Sequence, residues 1–144
     1  MKRRMSKWLS RLGLAMAVCL TAGAATRAEV PPGYEIIQIT DDRLRDSAPQ
    51  INSCGVVVWD RQLDSRRESA EIFTYDDATG LITQITDDDV RDIFPSINDD
   101  GTIVWMRQVG AGDTFEIAMW KDGDLALLTE NAYDDIGPLV NALR

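Results

Sequence analysis

The sequence predicts an all-β fold built from four-stranded antiparallel meanders, and three observations predict it. Residues 82–108 repeat residues 36–62 at 16 of 27 positions without a gap. Each copy alternates short runs of β-branched and aromatic residues with turns rich in Asn, Asp and Gly. No segment of residues 36–128 keeps the 3.6-residue apolar period of a helix. Such a repeat indicates a stacked array of small β units.

Each copy predicts four strands in the order strand, turn, strand, loop, strand, turn, strand. Proline opens the first strand, where it is tolerated, and an Asn-x-x-Gly turn joins that strand to the second. A Glu-Ile pair begins the third strand, and a threonine ends the fourth. The predicted strands cover residues 49–52, 56–60, 71–75 and 81–86 in the first copy and residues 95–98, 102–106, 116–120 and 125–129 in the second.

A third copy is recognisable by its spacing alone. Thr40, Thr86 and Thr129 each precede a proline by nine residues, and an asparagine follows each proline after three more. The spacing predicts a lone fourth strand at residues 34–40, before the first complete unit. It also predicts a lone first strand at residues 138–141, after the second complete unit.

The predicted strands carry apolar residues on both faces. Ile103 and Trp105 point to one side of their strand, and Val104 and Met106 point to the other. A meander of this kind buries both faces by stacking between like units, as the blades of a β-propeller do. Residues 34–144 are therefore predicted to form a partial propeller. Its complete blades lie at about residues 47–86 and 92–129, a third begins at residue 138, and the ring is not closed.

This pattern closely resembles the WD40-like repeats of TolB-type β-propellers. The resemblance covers about residues 36–141 and rests on a strand ending in Thr, an acidic loop, Pro-x-Ile-Asn, a Gly turn, Ile-Val-Trp and Glu-Ile. Residues 95–101, PSINDDG, are its most specific part. It is similar above all to a variant of exported bacterial proteins with an Ile-Asn-Asp-x-Gly turn. The resemblance implies a protein-docking platform, a ligand-binding surface or the gating domain of a peptidase.

Members of that family close a ring of about six or more blades. The resemblance therefore implies that this chain is a truncated version of a longer propeller protein. A trimer of two-blade chains would be another route to a closed ring. The two lone end strands argue against that trimer, because a blade shared between chains would still lack its two middle strands.

Residues 1–28 have the layout of a secretory signal peptide. A basic head precedes an uncharged, mostly apolar run of 14 residues, and small residues follow it. This run is shorter than the roughly 20 residues that a membrane-spanning helix needs, so the chain is not expected to be embedded in a membrane. We predict a periplasmic or secreted protein with a linker at residues 29–33, where adjacent prolines favour an extended chain.

Charge and composition exclude several classes of protein. Residues 1–28 hold six of the 15 basic side chains and none of the 24 acidic ones, so the remaining 116 residues carry a net charge of −15. Such a surface repels the phosphate backbone of nucleic acids. The chain has no histidine, which excludes Ser-His-Asp and Cys-His catalysis and His-ligated metals. Cys54 is predicted to be a turn residue, and neither an enzyme activity nor a cofactor is predicted.

The most polar segments are the acidic loops that lead from one unit to the next. We identify Asp41, Asp42, Asp87 and Asp88 as metal candidates, because Ca²⁺ takes clustered carboxylate oxygens. The favoured interpretation is that these residues form loops by bonding their own backbone. Arg45 and Arg91 are predicted to pair with loop aspartates.

Tryptophan and tyrosine recur at matched strand positions. Trp59, Trp105, Tyr75 and Trp120 are predicted to pack between units, and a sugar-binding shelf is the alternative. The favoured function is a non-catalytic exported propeller that binds a protein or a small ligand and self-associates through exposed blade faces and edges. A lectin-like glycan-binding propeller and a regulatory propeller remnant of a peptidase are the alternatives. The last would need a G-x-S-x-G motif and a later histidine, which the sequence lacks.

Overall fold

The computed structural model of the chain describes residues 30–63, 69–110 and 114–141. Over these residues the protein is all-β, with eight strands and no helix, and hence no helix that could span a bilayer. The strands are β1 (Arg45–Ile51), β2 (Val56–Gln62), β3 (Ala70–Asp76), β4 (Leu81–Gln84), β5 (Asp92–Ile97), β6 (Ile103–Val109), β7 (Thr114–Lys121) and β8 (Asp124–Leu127). The predicted signal peptide, residues 1–28, lies outside the described residues.

The strands form two four-stranded antiparallel sheets in the orders β1-β2-β3-β4 and β5-β6-β7-β8. Each sheet is a meander in which every strand pairs with its neighbour in sequence, as the repeat predicts. The sheets span residues 45–84 and 92–127, close to the predicted units. The first strands begin earlier than predicted, at Arg45 and Asp92, and the fourth strands end earlier, at Gln84 and Leu127.

The two lone end strands are not formed, so these two predictions are wrong. Residues 34–40 and 138–141 are not paired in a sheet, because no strand lies beside them in the part of the chain that the structure describes. Side chains hold the second segment instead. The Val140 amide donates to Ser96 Oγ at 3.3 Å, and Asn98 Nδ2 donates to the Asn141 carbonyl at 2.9 Å.

The described part of the predicted linker contains a turn. Within the unit that ends at residue 37, the Tyr34 amide donates to the Pro31 carbonyl at 3.1 Å. Proline and glycine at the two positions between them favour a reversal of the chain. The remainder of residues 30–37 has no regular secondary structure.

Each first strand contains an irregularity just before its proline. The register shifts between Ser47 and Gln50 in β1, and the same shift occurs at the equivalent place in β5. The residues before the three prolines have positive φ angles: 48° at Ala48, 55° at Phe94 and 65° at Gly137. This backbone feature recurs in all three copies, even though glycine, which adopts it without strain, stands only in the third.

The Asn-x-x-Gly turns both close a hairpin and join neighbouring repeats. Asn52 Oδ1 accepts hydrogen bonds from the Cys54 and Val56 amides at 3.1 and 2.9 Å, as expected for a turn-forming asparagine. Asn52 Nδ2 donates to the Asn98 carbonyl at 3.0 Å, and Asn98 Nδ2 donates to the Asn141 carbonyl. One side chain type therefore links three successive repeats. Cys54 is exposed and lies in its turn, as predicted.

The core lies between the two sheets. Val58 and Ile72 of the first sheet pack against Ile103, Trp105 and Ala118 of the second, and none of these five side chains is more than 1% exposed. The opposite face of the second sheet is also covered, since Val104 and Met106 are buried. Strand β5 packs against β1, β2 and β3, whereas no comparable contact joins the outermost strands β4 and β8. The backbones of the two sheets therefore approach each other most closely at β5.

Candidate functional site

Three crossing segments, residues 40–46, 86–92 and 129–135, share one construction. The Ile72 and Ile117 amides donate to the hydroxyls of Thr86 and Thr129, both at 2.9 Å. The residue two positions after each threonine uses its side-chain oxygen to accept a hydrogen bond. The donor is the backbone amide of the residue two positions after it. These oxygens belong to Asp42, Asp88 and Asn131, at 2.8, 2.9 and 2.8 Å. The interpretation as loop formers is confirmed for Asp42 and Asp88.

The structure separates the four predicted metal candidates. Asp41 and Asp42 lie in the first crossing segment, Asp87 and Asp88 lie in the second, and all four are exposed. Asp88 alone belongs to a carboxylate cluster of metal-binding dimensions within the described residues, and its partners there are Glu71 and Asp92.

The loop aspartates pair with arginines of the second strand of each sheet. Arg61 contacts Asp46 at 2.7 Å and Asp42 at 3.2 Å, and Arg107 contacts Asp92 at 2.7 Å. The strand register explains these pairs, because Asp46 lies directly opposite Arg61 and Asp92 lies directly opposite Arg107. Arg107 also contacts Asp88, at 2.5 Å.

The predicted pairing of Arg45 and Arg91 with loop aspartates is wrong. Across the described ranges neither arginine forms an ion pair with a carboxylate. Arg91 instead lies over the Phe115 ring, 5.9 Å from its centre. Both arginines line a cavity with Asp60, whose Oδ1 accepts the Phe94 amide at 3.1 Å. Burial raises the pKa of Asp60, and the two positive charges oppose that rise.

Trp105 and Trp120 pack between the two sheets, as predicted, whereas Trp59 and Tyr75 lie on the outer face of the first sheet. Trp59 and Trp105 are buried, and Tyr75 and Trp120 are half-buried. The Trp59 ring stacks on Phe73, and its Nε1 donates to Asp46 Oδ1 at 2.9 Å. Trp59 and Trp105 are therefore too deeply buried to form a shelf for a sugar.

A cluster of three carboxylates lies where β3 meets the second crossing segment. One carboxylate oxygen from each of Glu71, Asp88 and Asp92 lies within 4.8 Å of the other two. The side chains of Glu71 and Asp92 are fully buried, whereas Asp88 is 40% exposed. Neither Glu71 oxygen accepts a hydrogen bond of normal geometry, and neither does Asp92 Oδ1. We call this set the carboxylate cluster.

The second sheet has a counterpart of this cluster whose three members are joined by hydrogen bonds. Glu116 occupies the position of Glu71, and Asn131 and Asp135 occupy those of Asp88 and Asp92. Glu116 accepts from the Thr129 hydroxyl at 2.5 Å and from the Asn131 amide at 2.7 Å. Asn131 Nδ2 donates to Asp135 at 2.8 Å and to Glu116 at 3.4 Å. The side-chain amide of Asn131 therefore lies between two carboxylates.

The pKa values of the carboxylate cluster are shifted in the opposite direction from that of Asp46. Burial raises the pKa of Glu71 to about 7 and that of Asp92 to about 6. The Asp92 charge adds to the rise at Glu71, whereas the Arg107 guanidinium opposes the rise at Asp92. At Asp46 burial also raises the pKa, but hydrogen bonds led by that from Arg61 outweigh it and leave the pKa below its usual value. The carboxylate cluster can therefore hold either a cation or a proton.

An apolar groove of about 460 Å³ runs along the innermost strands, where the three pre-proline positions converge. Phe94, Ile136 and Leu139 are exposed there by 56%, 71% and 88%. The groove is lined by Ala48, Gln50, Phe94, Pro95, Met106, Ile136, Gly137, Pro138 and Leu139. We call it the inner groove.

Sequence reasoning missed Glu71 and Asp92 as members of a site. In the sequence Glu71 only marks the start of the third strand, and Asp92 is not among the metal candidates. One signal was present: a glutamate recurs at 71 and 116, inside strands whose neighbouring positions are apolar. A charged residue repeated within a buried strand needs a partner, and the partner is brought near only by folding.

No protein-family model and no curated protein sequence matches this chain.

Proposed function

We propose that the chain is an exported, non-catalytic β-propeller repeat protein that acts as a binding module. The observation that carries this proposal is the repeated joint between units. The Asn52 side chain reaches the Asn98 backbone, and the Asn98 side chain reaches the Asn141 backbone in the same way. A joint that recurs unchanged supports a stack of equivalent units, which is how propeller blades are arranged. The signal-like residues 1–28 support export.

The two sheets approach each other most closely at β5, and this supports a radial arrangement of the units. Blades of a propeller approach one another at their first strands and separate toward their fourth strands. Here β5 packs against the first sheet, while a cleft between residues such as Leu81 and Trp120 opens toward the outer strands. Parallel stacking of flat sheets would keep the outer strands as close as the inner ones.

The inner groove is the surface best suited to a ligand, and its chemistry favours an extended apolar peptide. Phe94, Ile136 and Leu139 supply apolar area, and Pro95 and Pro138 leave few backbone amides to bind a polar ligand. A glycan site would need an exposed aromatic shelf, but Trp59 and Trp105 are buried. These observations favour a protein partner over a sugar.

Selection of displayed random peptides on residues 29–144, beside a glycan array, tests the proposal. We expect apolar peptides to be selected and no glycan to be bound. Leu139→Lys should weaken the affinity for the selected peptides by about tenfold. The variant places a charge in the groove, and the complex no longer buries a leucine side chain there. Leu81→Lys changes an exposed leucine outside the groove and should leave the affinity unchanged. Glycan binding without peptide selection would contradict the proposal, as would equal losses in both variants.

A further inference from the structure

We propose that Glu71, Asp88 and Asp92 form a binding site for one divalent cation, and that calcium is the cation it fits best. The three carboxylate oxygens lie within 4.8 Å of one another, so a single ion between them comes close to the 2.3 to 2.6 Å that calcium prefers, and a small inward movement of the side chains completes the contacts. This site does not depend on the proposed binding function, since it lies at the crossing between the sheets and not in the inner groove.

Glu71 is the strongest reason to place a cation here. Its side chain is fully buried, and although the Thr86 hydroxyl and the Asp88 amide lower its pKa, neither of its oxygens accepts a hydrogen bond of normal geometry. Asp92 is equally buried, and its Oδ1 also lacks a partner. Leaving a buried carboxylate without a partner costs several kcal/mol, so native proteins pair such groups or bind a metal with them. Three unpartnered oxygens in one cluster therefore point to a missing positive charge.

The second sheet shows what fills the same position when no cation is needed. There Asn131 replaces Asp88, and its amide group donates to both Glu116 and Asp135. Glu116 receives further hydrogen bonds from the Thr129 hydroxyl and the Asn131 backbone amide. Two carboxylates are thus joined by N–H donors. In the first sheet the Thr86 hydroxyl and the Asp88 backbone amide still act on Glu71, but Asp88 supplies a third carboxylate where the second sheet has the side-chain amide of Asn131. A cation would take the place of that amide.

The charges around the carboxylate cluster match a divalent ion. When all three carboxylates are ionised, Arg107 neutralises one of the negative charges and leaves two, and it contacts Asp88 and Asp92 through their Oδ2 atoms. The unpartnered Asp92 Oδ1 and both Glu71 oxygens remain available as ligands. Asp88 is partly exposed, which gives the ion a path to the cluster and lets water complete its coordination.

The ligand chemistry favours calcium over other common cations. All the ligands are carboxylate oxygens, which suit hard cations, and the chain has no histidine to attract zinc. Magnesium demands a near-ideal octahedron and releases its water reluctantly, whereas calcium accepts irregular sets of oxygens. Magnesium is therefore expected to bind more weakly at this cluster.

Calcium binding to residues 29–144 is measured by isothermal titration and by thermal melting at neutral pH. We expect about one calcium ion per chain and a rise in melting temperature of about 5 °C at millimolar calcium. Sodium chloride of the same ionic strength should produce a much smaller rise, because it screens charge without occupying the cluster.

Two variants test the ligands, and a third is their control. Asp88→Asn reproduces the second-sheet arrangement, so it should fold, melt at a higher temperature without calcium and bind calcium at least about tenfold more weakly. Glu71→Gln should also lose calcium binding. Asp89→Asn makes the same charge change in the same segment at an exposed residue outside the cluster, and it should bind calcium as the wild type does.

The reverse change provides an independent readout. Asn131→Asp converts the second-sheet counterpart to three carboxylates, and the stoichiometry should rise from about one to about two calcium ions per chain. The proposal is overturned if wild type shows no calcium-dependent rise in melting temperature, in which case a proton occupies the cluster. An equal loss of response in Asp88→Asn and Asp89→Asn would overturn it too, since that result indicates general charge neutralisation.

Discussion

At the residue scale, the residue before the proline of each repeat has an unusual backbone conformation, with a positive φ angle. Ala48 and Phe94 adopt positive φ angles, a conformation that costs an L-residue about 1 to 2 kcal/mol, whereas Gly137 adopts it freely. Asp60 compensates at the second position, because its carboxylate accepts the Phe94 amide. The residue equivalent to Asp60 in the second sheet is Met106, which faces the unstrained Gly137 across the inner groove.

We predict that Ala48→Gly stabilises the protein. Removing the left-handed strain gains about 1 to 2 kcal/mol, and the greater freedom of glycine in the unfolded chain takes back about 0.5 to 1 kcal/mol. Urea unfolding should therefore show a free energy of unfolding higher by roughly 0.5 to 1 kcal/mol. Ala126→Gly in the exposed strand β8 is the matched control and should be destabilising, since its backbone is ordinary strand. A loss of stability in both variants would show that residue 48 carries no strain.

At the element scale, the joint between the two sheets depends on a side chain that serves two purposes. Asn52 Oδ1 closes its own hairpin turn, and Nδ2 reaches the Asn98 backbone in the next sheet. An aspartate keeps the first function and loses the second, because both of its oxygens are acceptors. This position therefore allows the turn and the joint to be separated by experiment.

We predict that Asn52→Asp lowers the free energy of unfolding by about 1 to 3 kcal/mol, because it removes a donor and places a carboxylate beside the Asn98 carbonyl. Urea unfolding followed by tryptophan fluorescence measures the loss, with Trp105 at the sheet interface as a reporter. Asn52→Ala, which also removes the turn acceptor, should lose more. Identical midpoints for Asn52→Asp and the wild type would mean that the joint contributes nothing to stability.

At the scale of the whole molecule, the outer face of the first sheet has no sheet packed against it within the described residues. This face carries Val57, Trp59, Phe73, Tyr75 and Ile82, as the strand register shows. By the repeat, the residues on the outer face of the second sheet are equivalent to those with which the first sheet packs against the second. A head-to-tail contact between the outer faces of two copies would therefore imitate the stacking within one copy.

We predict that residues 29–144 self-associate as concentration rises, and that Ile82→Lys shifts the mass toward the monomer. Ile82 is 39% exposed on the outer face, and a buried lysine charge would oppose stacking there. Size-exclusion chromatography with light scattering measures the mass. Leu81→Lys, on the opposite side of the same strand, should not change it. A wild type that stays monomeric at high concentration would contradict the prediction.

The sequence by itself determined the β class, the number and order of strands in each unit and the positions of the turns. These follow from short-range chemistry, since the repeat aligns Pro, Asn and Gly with the places where the backbone must turn. It also indicated that the loop aspartates bond their own backbone, because that interaction spans only two residues. The prediction of lone end strands was wrong, since a β-strand forms only beside a partner strand.

Only the tertiary structure decided which charges meet. Arg107, and not Arg91, pairs with Asp92, because β5 begins at Asp92 and the register sets the two residues opposite each other. Glu71 and Asp92 lie far apart in sequence, and they meet because β3 packs against β5. Burial then removes the water that would otherwise satisfy their oxygens. The carboxylate cluster is therefore a product of packing, and the sequence signals it only through the glutamate that recurs at 71 and 116.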